Sequence, residues 1–362
     1  MKNLGKRRLV AVGRLIPLTV ITLLVVGLSA GEDFLRPAPA DPTESETAQA
    51  RLSARSQELA EQARILDRTA SGTFSGLAEI LGTQAAALAI PGTAPATATP
   101  SGTASSAPTP SAGPFLDDAV RSVHDLLDRA AVEPDPGLAR LYASAALGRL
   151  NALTPVSAGR PTAALTAQSL TPAPSVPQSG CVTGVAASAP SGSPTPGAGT
   201  PGTTAAGQPM SDAAADATRA LLRTAGRAEY LYQVALPRQD TAGQRRSATS
   251  LGAVGNITRD GLAWLASACR PDGLAAPGYS LPPSFLSSPG PALGAAEAEL
   301  TGAGLDLVAS AGPGERVWAL RVVLGSAVRA KEWGAGLSGS DALPGLPVPP
   351  ATAPVPTPSS SR

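Results

Sequence analysis

The side chains suited to metal or acid–base chemistry are few: one histidine, His124, two cysteines, Cys181 and Cys269, and scattered carboxylates. A dinuclear metal centre in a helical bundle draws a Glu from each of two helices and a Glu-x-x-His from each of the other two. Imidazole and carboxylate are the donors such metals need, and the three-residue step places both on one helix face. This sequence has no Glu-x-x-His, and residues 210–336 contain no histidine. The acids there include Asp212, Asp216, Glu229, Asp260, Glu297, Glu299, Asp306, Glu315 and Glu332, and none stands at that spacing from a partner. His124 falls at helical steps from Asp117, Arg121 and Asp128, which reads as a solvated imidazole beside an i+4 carboxylate. One surface histidine assembles no Ser-His-Asp set. The sequence therefore offers no catalytic, cofactor-binding or metal-binding residue and implies no cofactor.

Other suggestive motifs have plainer readings. Asn256-Ile257-Thr258 matches a glycosylation pattern but falls inside a predicted helix. Gly312-Pro313-Gly314 is an interhelical turn, not a phosphate loop. Trp264, Trp318 and Trp333 sit on or near apolar stripes and fill gaps among alanines. Arg259-Asp260 reads as a surface charge pair, with a buried pair orienting two helices as the alternative.

The N-terminus sets the context. Lys2, Lys6, Arg7, Arg8 and Arg14 precede an apolar run from Leu15 to Leu28, followed by the small residues Ser29, Ala30 and Gly31. This is the layout of a secretory signal. Left uncleaved, the segment becomes a membrane anchor with its cations in the cytoplasm and the body outside. No cysteine follows the run, so a lipid anchor is not expected. The expected location is extracytoplasmic, secreted or held at the cell membrane. Thiols oxidise there, and the even cysteine count predicts a Cys181–Cys269 disulfide. Closing so long a loop contributes about 4 kcal/mol in the chain-entropy model. A formal net charge of +1 gives no field that calls for nucleic acid.

Only 3% of the residues are aromatic while 43% are hydrophobic, and the commonest of these is Ala, the best helix former. The 38 glycines and 37 prolines cluster in segments that cannot be helical. Three such stretches, 91–113, 154–209 and 337–362, are Pro/Ala/Ser/Thr-rich and predicted to be disordered spacers. The layout that follows is a signal or anchor at 1–30, a linker at 31–45, a helical hairpin at 46–90 and a second at 114–153. A four-helix bundle occupies 210–336.

The helical patterns carry this assignment. Leu52, Leu59 and Leu66 with Ala63 form one narrow stripe, and Phe74, Leu77, Leu81 and Leu88 form the next. Leu116, Val120, Val123, Leu127 and Ala130 pattern a third helix, which Glu133-Pro134-Asp135-Pro136 ends. Leu138, Leu141, Ala145 and Leu150 pattern the fourth. Ser211 is a good N-cap for a helix striped by Leu221, Ala225, Ala228, Tyr232 and Ala235. Then come 246–269, with Leu251, Val254, Leu262 and Leu265, and 291–311, with Leu293, Ala296, Leu300, Leu307 and Val308. The last helix, 315–333, is apolar nearly all round and is expected to be the most buried.

Five short signatures lie in order along the C-terminal third: Tyr230-Leu231-Tyr232, Arg259-Asp260-Gly261-Leu262, Tyr279-Ser280-Leu281-Pro282, Ala330-Lys331-Glu332-Trp333 and Leu343-Pro344-Gly345-Leu346-Pro347. Together they resemble the ferritin-like domain of unknown function found in exported proteins of high-G+C Gram-positive bacteria. The resemblance implies a ferritin-like four-helix bundle and covers about 140 residues. This chain departs from the pattern where family members often carry a Glu-His pair, here Ala225-Gly226, and a His before Arg-Asp, here Gly255. The polar centre those residues serve elsewhere is expected to be missing.

The fold class expected is all-α: a C-terminal ferritin-like four-helix bundle preceded by two helical hairpins. The function expected is a non-catalytic, exported cell-envelope protein that binds or supports, through an envelope protein partner or self-association. The alternatives are a ferritin-like metal-dependent oxidoreductase or iron-binding protein, and a carrier of an apolar ligand held between Ala-lined helices.

Overall fold

The elements follow from where helix-forming runs meet their breakers. In a computed structural model describing residues 41–69, 72–90, 110–156, 210–270, 278–337, 339–340 and 342–346, eight α-helices carry the fold. They are α1 (Glu44–Thr69), α2 (Ser75–Leu88), α3 (Ala112–Val132), α4 (Pro136–Val156), α5 (Asp212–Ala235), α6 (Thr241–Ser267), α7 (Gly290–Ser310) and α8 (Pro313–Glu332). A 3₁₀ turn, Leu236–Arg238, follows α5, as Pro237 requires. The expected export segment and most of the expected spacers lie outside the described residues, as does the tail beyond 346; the start of the stretch expected to be a disordered tail, 337–362, instead carries a short strand pair within 339–344. Among the described residues no helix is long and apolar enough to cross a membrane.

The chain divides into two units, 1–47 and 48–362. Of the first, only 41–47 are described, and they start α1 with a capping box. Thr43 N donates to Glu46 Oε2 at 2.7 Å and Glu46 N to Thr43 Oγ1 at 3.2 Å.

In the second unit, buried apolar side chains from α1 through α8 form one core. α8 packs on α7, α3 on α4, and α5 on both α6 and α7. α4 lies against α2 and α7, and α3 touches α8, so the N-terminal helices pack directly on the C-terminal ones. Small residues make the approach close. A Cβ added at Gly304 of α7 would come within 2.7 Å of Val323 Cγ2 on α8.

Several sequence stripes are buried as expected: Leu52, Leu59, Ala63 and Leu66 of α1, and Leu221, Ala225, Ala228, Tyr232 and Ala235 of α5. Two are displaced. In α3 the buried face runs through Phe115, Ala119, Ser122, Val123, Leu126, Leu127 and Ala130, leaving Leu116 and Val120 half-buried. In α6 the buried line is Ser247, Ser250, Val254, Ile257, Gly261, Trp264 and Leu265, and Leu262 is exposed. Its packing face is built partly from Ser and Gly, because α5 and α8 come too near for larger groups. A Cβ at Gly261 would meet Leu222 Cδ2 at 2.8 Å and Trp318 Cη2 at 3.1 Å. α6 also starts five residues before the expected position, capped by Asp240, whose Oδ1 accepts from Gly243 N at 2.7 Å.

One buried arginine joins the C-terminal helices to the N-terminal ones, and a second ties the N-terminal helices to one another. Arg316, in the first turn of α8, donates to Val308 O at 3.0 Å and Ala311 O at 2.9 Å, at the end of α7. Its Nη1 reaches Glu133 O and, at 3.5 Å, Ala130 O, at the end of α3. One guanidinium thus satisfies carbonyls that two helix C-termini leave without an intrahelical partner. Arg149 of α4 donates to Gln84 Oε1 on α2 and to Ser56 Oγ on α1. The Gln84 amide in turn donates to Ala145 O and, across the molecule, to Ala342 O. Ala342 lies between β1 (Gly339–Ser340) and β2 (Leu343–Pro344), a short antiparallel pair that Ser144 Oγ fastens to α4 through Pro344 O at 2.7 Å.

Candidate functional site

A polar centre lies in the core where α5, α7 and α8 meet. Tyr232 belongs to the apolar stripe of α5 and is fully buried. Glu297 on α7 is also fully buried, since it stands four residues after Leu293 and three before Leu300 on the same face. The Tyr232 hydroxyl donates to Glu297 Oε1 at 2.8 Å, and Arg329 Nε of α8 donates to the same oxygen at 2.7 Å. Trp333 Nε1, just past α8, donates to Tyr232 Oη at 3.0 Å. Arg329 Nη2 also donates to Ser326 Oγ at 2.9 Å. Glu297 Oε2 makes no hydrogen bond among the described residues.

Burial chiefly, and then the Glu297 carboxylate, raises the Tyr232 phenol well above its ordinary value, so it stays protonated and donates. A buried carboxylate is stable only when charge and hydrogen bonds compensate it, and here both come from Arg329 with Tyr232 adding a second donor. The arrangement cross-links three helices through one carboxylate oxygen. Outside it, the Arg246 guanidinium lies over the Trp333 ring, 5.0 Å from its centroid.

The centre opens on a cleft of about 720 Å³ between α6 and α8, with Arg329 at its inner wall and Arg245 and Arg246 at its rim. Ser250, beside Tyr232, lines it from α6. A second cleft of about 260 Å³ lies beside Lys331, whose ammonium burial pushes down and whose Nζ donates to Asn151 O at 3.3 Å.

The sequence signatures acquire physical roles here. Tyr230 and Tyr279 meet ring to ring at 5.8 Å, and the Tyr279 hydroxyl lies where a Cβ at Gly226 would come within 2.7 Å. Ala225-Gly226 therefore leaves the room that Tyr279 fills. Gly345 takes a φ of +78°, and a Cβ there would overlap Leu305 Cδ1, so glycine is required twice over.

Residues 217–348 match the family model of DUF4439, a domain of unknown function. The matched segment contains the whole centre: Tyr232, Glu297, Arg329 and Trp333. No curated protein and no solved structure matches the chain.

The structure distributes the residues considered from sequence as follows. Trp264 and Trp318 are buried in the core, and Trp333 joins the polar centre. Arg259 is exposed and donates to Asn256 Oδ1, and a largely buried charge pair linking two helices is Arg329–Glu297. His124 is half-buried on α3, away from this centre. Among the described residues no group of three His, Cys, Asp or Glu is placed to hold a metal. Cys269 is not a free thiol, and Cys181 lies outside the described residues. Sequence reasoning gave Glu297 and Arg329 no role. The available signal was position: each is a charge set on the apolar face of its helix, Arg329 three residues after buried Ser326.

Proposed function

We propose that this chain is a non-catalytic extracytoplasmic protein that works by binding or support. Its C-terminal part, on this reading, is a ferritin-like bundle whose interior carboxylate has been committed to structure. The observation that carries the reading is the engagement of Glu297. Glu297 Oε1 already accepts from a guanidinium at 2.7 Å and a phenol at 2.8 Å, and the Arg329 charge balances the carboxylate; Oε2 alone is left, with no second carboxylate or imidazole grouped with it among the described residues to complete a metal site. Elemental analysis of purified full-length protein tests it: stoichiometric iron or manganese would sink the reading in favour of a metal-dependent oxidoreductase or iron store.

Export rests on the segment from Lys2 to Gly31, and Edman sequencing of protein recovered from the culture medium or envelope locates any cleavage. A Cys181–Cys269 disulfide is the companion proposal. Cys269 takes a φ of 59° after α6, where Cys269 N donates to Ala266 O and Arg270 N to Leu265 O. That is the left-handed helix stop usually filled by glycine, so the side chain kept there is retained against a backbone penalty. Non-reduced peptide mapping that finds both thiols free would end this proposal.

A further inference from the structure

We infer that the cleft between α6 and α8 binds the oxyanion of a carboxylate- or phosphate-bearing ligand. This rests on the binding reading above and names its ligand class. Three guanidinium groups converge there, from Arg245, Arg246 and Arg329, against the carboxylate of Glu332 at the edge and that of Glu297 behind Arg329. One positive charge is left over when the two acids are set against them. The inner group is pre-positioned: Glu297 holds Arg329 Nε and Ser326 holds Nη2. Arg329 keeps only 13% of its side-chain exposure. An oxyanion reaching it meets a donor already fixed in direction, which lowers the ordering cost of binding.

Gly325 shapes this wall. It lies one turn before Arg329, and an added Cβ would sit 3.2 Å from Nη1, so a side chain there would make the guanidinium give by a few tenths of an ångström. Arg246 is braced by Trp333 and by its donation to Glu332 O at 3.1 Å. Arg245 is exposed at the rim, where its Nε donates to Thr241 O at 3.4 Å and its two Nη groups remain for a ligand. Ser250 adds a hydroxyl, and Ala253 and Val328 give the walls an apolar part against which the carbon portion of an ester can lie. The volume of about 720 Å³ suits a small molecule or a single lipid headgroup.

The test titrates full-length protein calorimetrically with inorganic phosphate and, separately, floats it with vesicles of equimolar phosphatidylcholine and phosphatidylglycerol. Arg245→Glu, at an exposed position, and Gly325→Ala, which leaves the charge unchanged, are compared with wild type. We expect saturable phosphate binding that falls at least tenfold in each variant, the equivalent of one charge-assisted hydrogen bond. Vesicle binding without phosphate binding, lost in both variants, assigns the same site to a lipid headgroup. Binding of neither, or binding that both variants leave intact, overturns the inference. Metal content separates the two ideas, since a retained metal refutes the non-catalytic reading without touching the anion site.

Discussion

Removing the Arg316 guanidinium should unlock the N-terminal helices from the C-terminal ones. Arg316 is 5% exposed, and its donors reach carbonyls at the ends of α7 and α3: Val308 O at 3.0 Å, Ala311 O at 2.9 Å and Glu133 O. A hydrogen bond from a charged donor contributes about 1.5–3 kcal/mol net, and each buried carbonyl left bare costs about 1–3 kcal/mol. Three such bonds would sum to about 4–9 kcal/mol if independent. Part is offset because burial disfavours the charged group, the cause that lowers the pKa of Arg316. We therefore expect Arg316→Ala to lose about 3–5 kcal/mol. In urea unfolding followed by far-UV circular dichroism, with an m-value of about 3 kcal/mol/M, the midpoint should fall by roughly 1 M or more. Arg316→Met keeps volume and removes the donors, so it should remain nearly as unstable. If Met restores the unfolding free energy to within about 1 kcal/mol of wild type, packing and not carbonyl capping holds the helices together, and the reasoning fails. Exposed Arg51→Ala serves as control and should stay within about 0.5 kcal/mol.

Other perturbations follow from the same geometry. Glu297→Gln keeps the shape of the centre and leaves Arg329 without its counter-charge. It should lose about 3 kcal/mol, the low end for a broken buried pair because Arg329 is partly exposed, and an unchanged urea midpoint would refute the pair's role. Gly345→Ala forces a side chain into positive φ and onto Leu305; a thermal melt should drop by several degrees, reflecting about 1–3 kcal/mol. Ser211→Ala removes the acceptor for Ala214 N and should cost about 1 kcal/mol, read as faster amide exchange in the first turn of α5. The Thr43 backbone amide, then its hydroxyl, hold Glu46 below its ordinary value near 4.5. Its help to α1 should persist above that pH and vanish as pH falls through the lowered value, and a carboxyl chemical-shift titration with a midpoint at or above 4.5 would contradict it.

How much of this was legible depends on what each side chain announces. The stripes of α1 and α5 were readable because Leu and Ala recur at helical steps with charge between them. Ser211 was readable because a hydroxyl before a helix has one main use. The face of α6 was not, since Ser247, Ser250 and Gly261 look polar or neutral in sequence and serve as contact surface only when α5 and α8 approach closely. Glu297 was counted among the acids and tested only for metal-ligand spacing, and its place between Leu293 and Leu300 went unused. The pairing of α3 with α8 lay beyond reach altogether. Periodicity says which face is buried and not against what, and Arg316 meets Glu133 across 183 residues.

The buried and half-buried arginines explain how a core with so many alanines specifies one arrangement. Alanine packs closely but offers little shape by which one helix face excludes another. Arg149, Arg316 and Arg329 supply what alanine lacks, since each has donors in a fixed fork and must find particular acceptors. Arg316 selects two helix ends, Arg149 selects Gln84 and Ser56, and Arg329 selects Glu297. A slip of any helix by one residue would strand a charge in the core, at a cost far above the gain from a few methyl contacts. Two of these devices also cross the edge of the matched segment 217–348: Arg316 reaches Ala130 and Glu133, and Gln84, held by Arg149, reaches Ala342. The edge of the family match is therefore not an edge of the core, which runs without a break from α1 to α8.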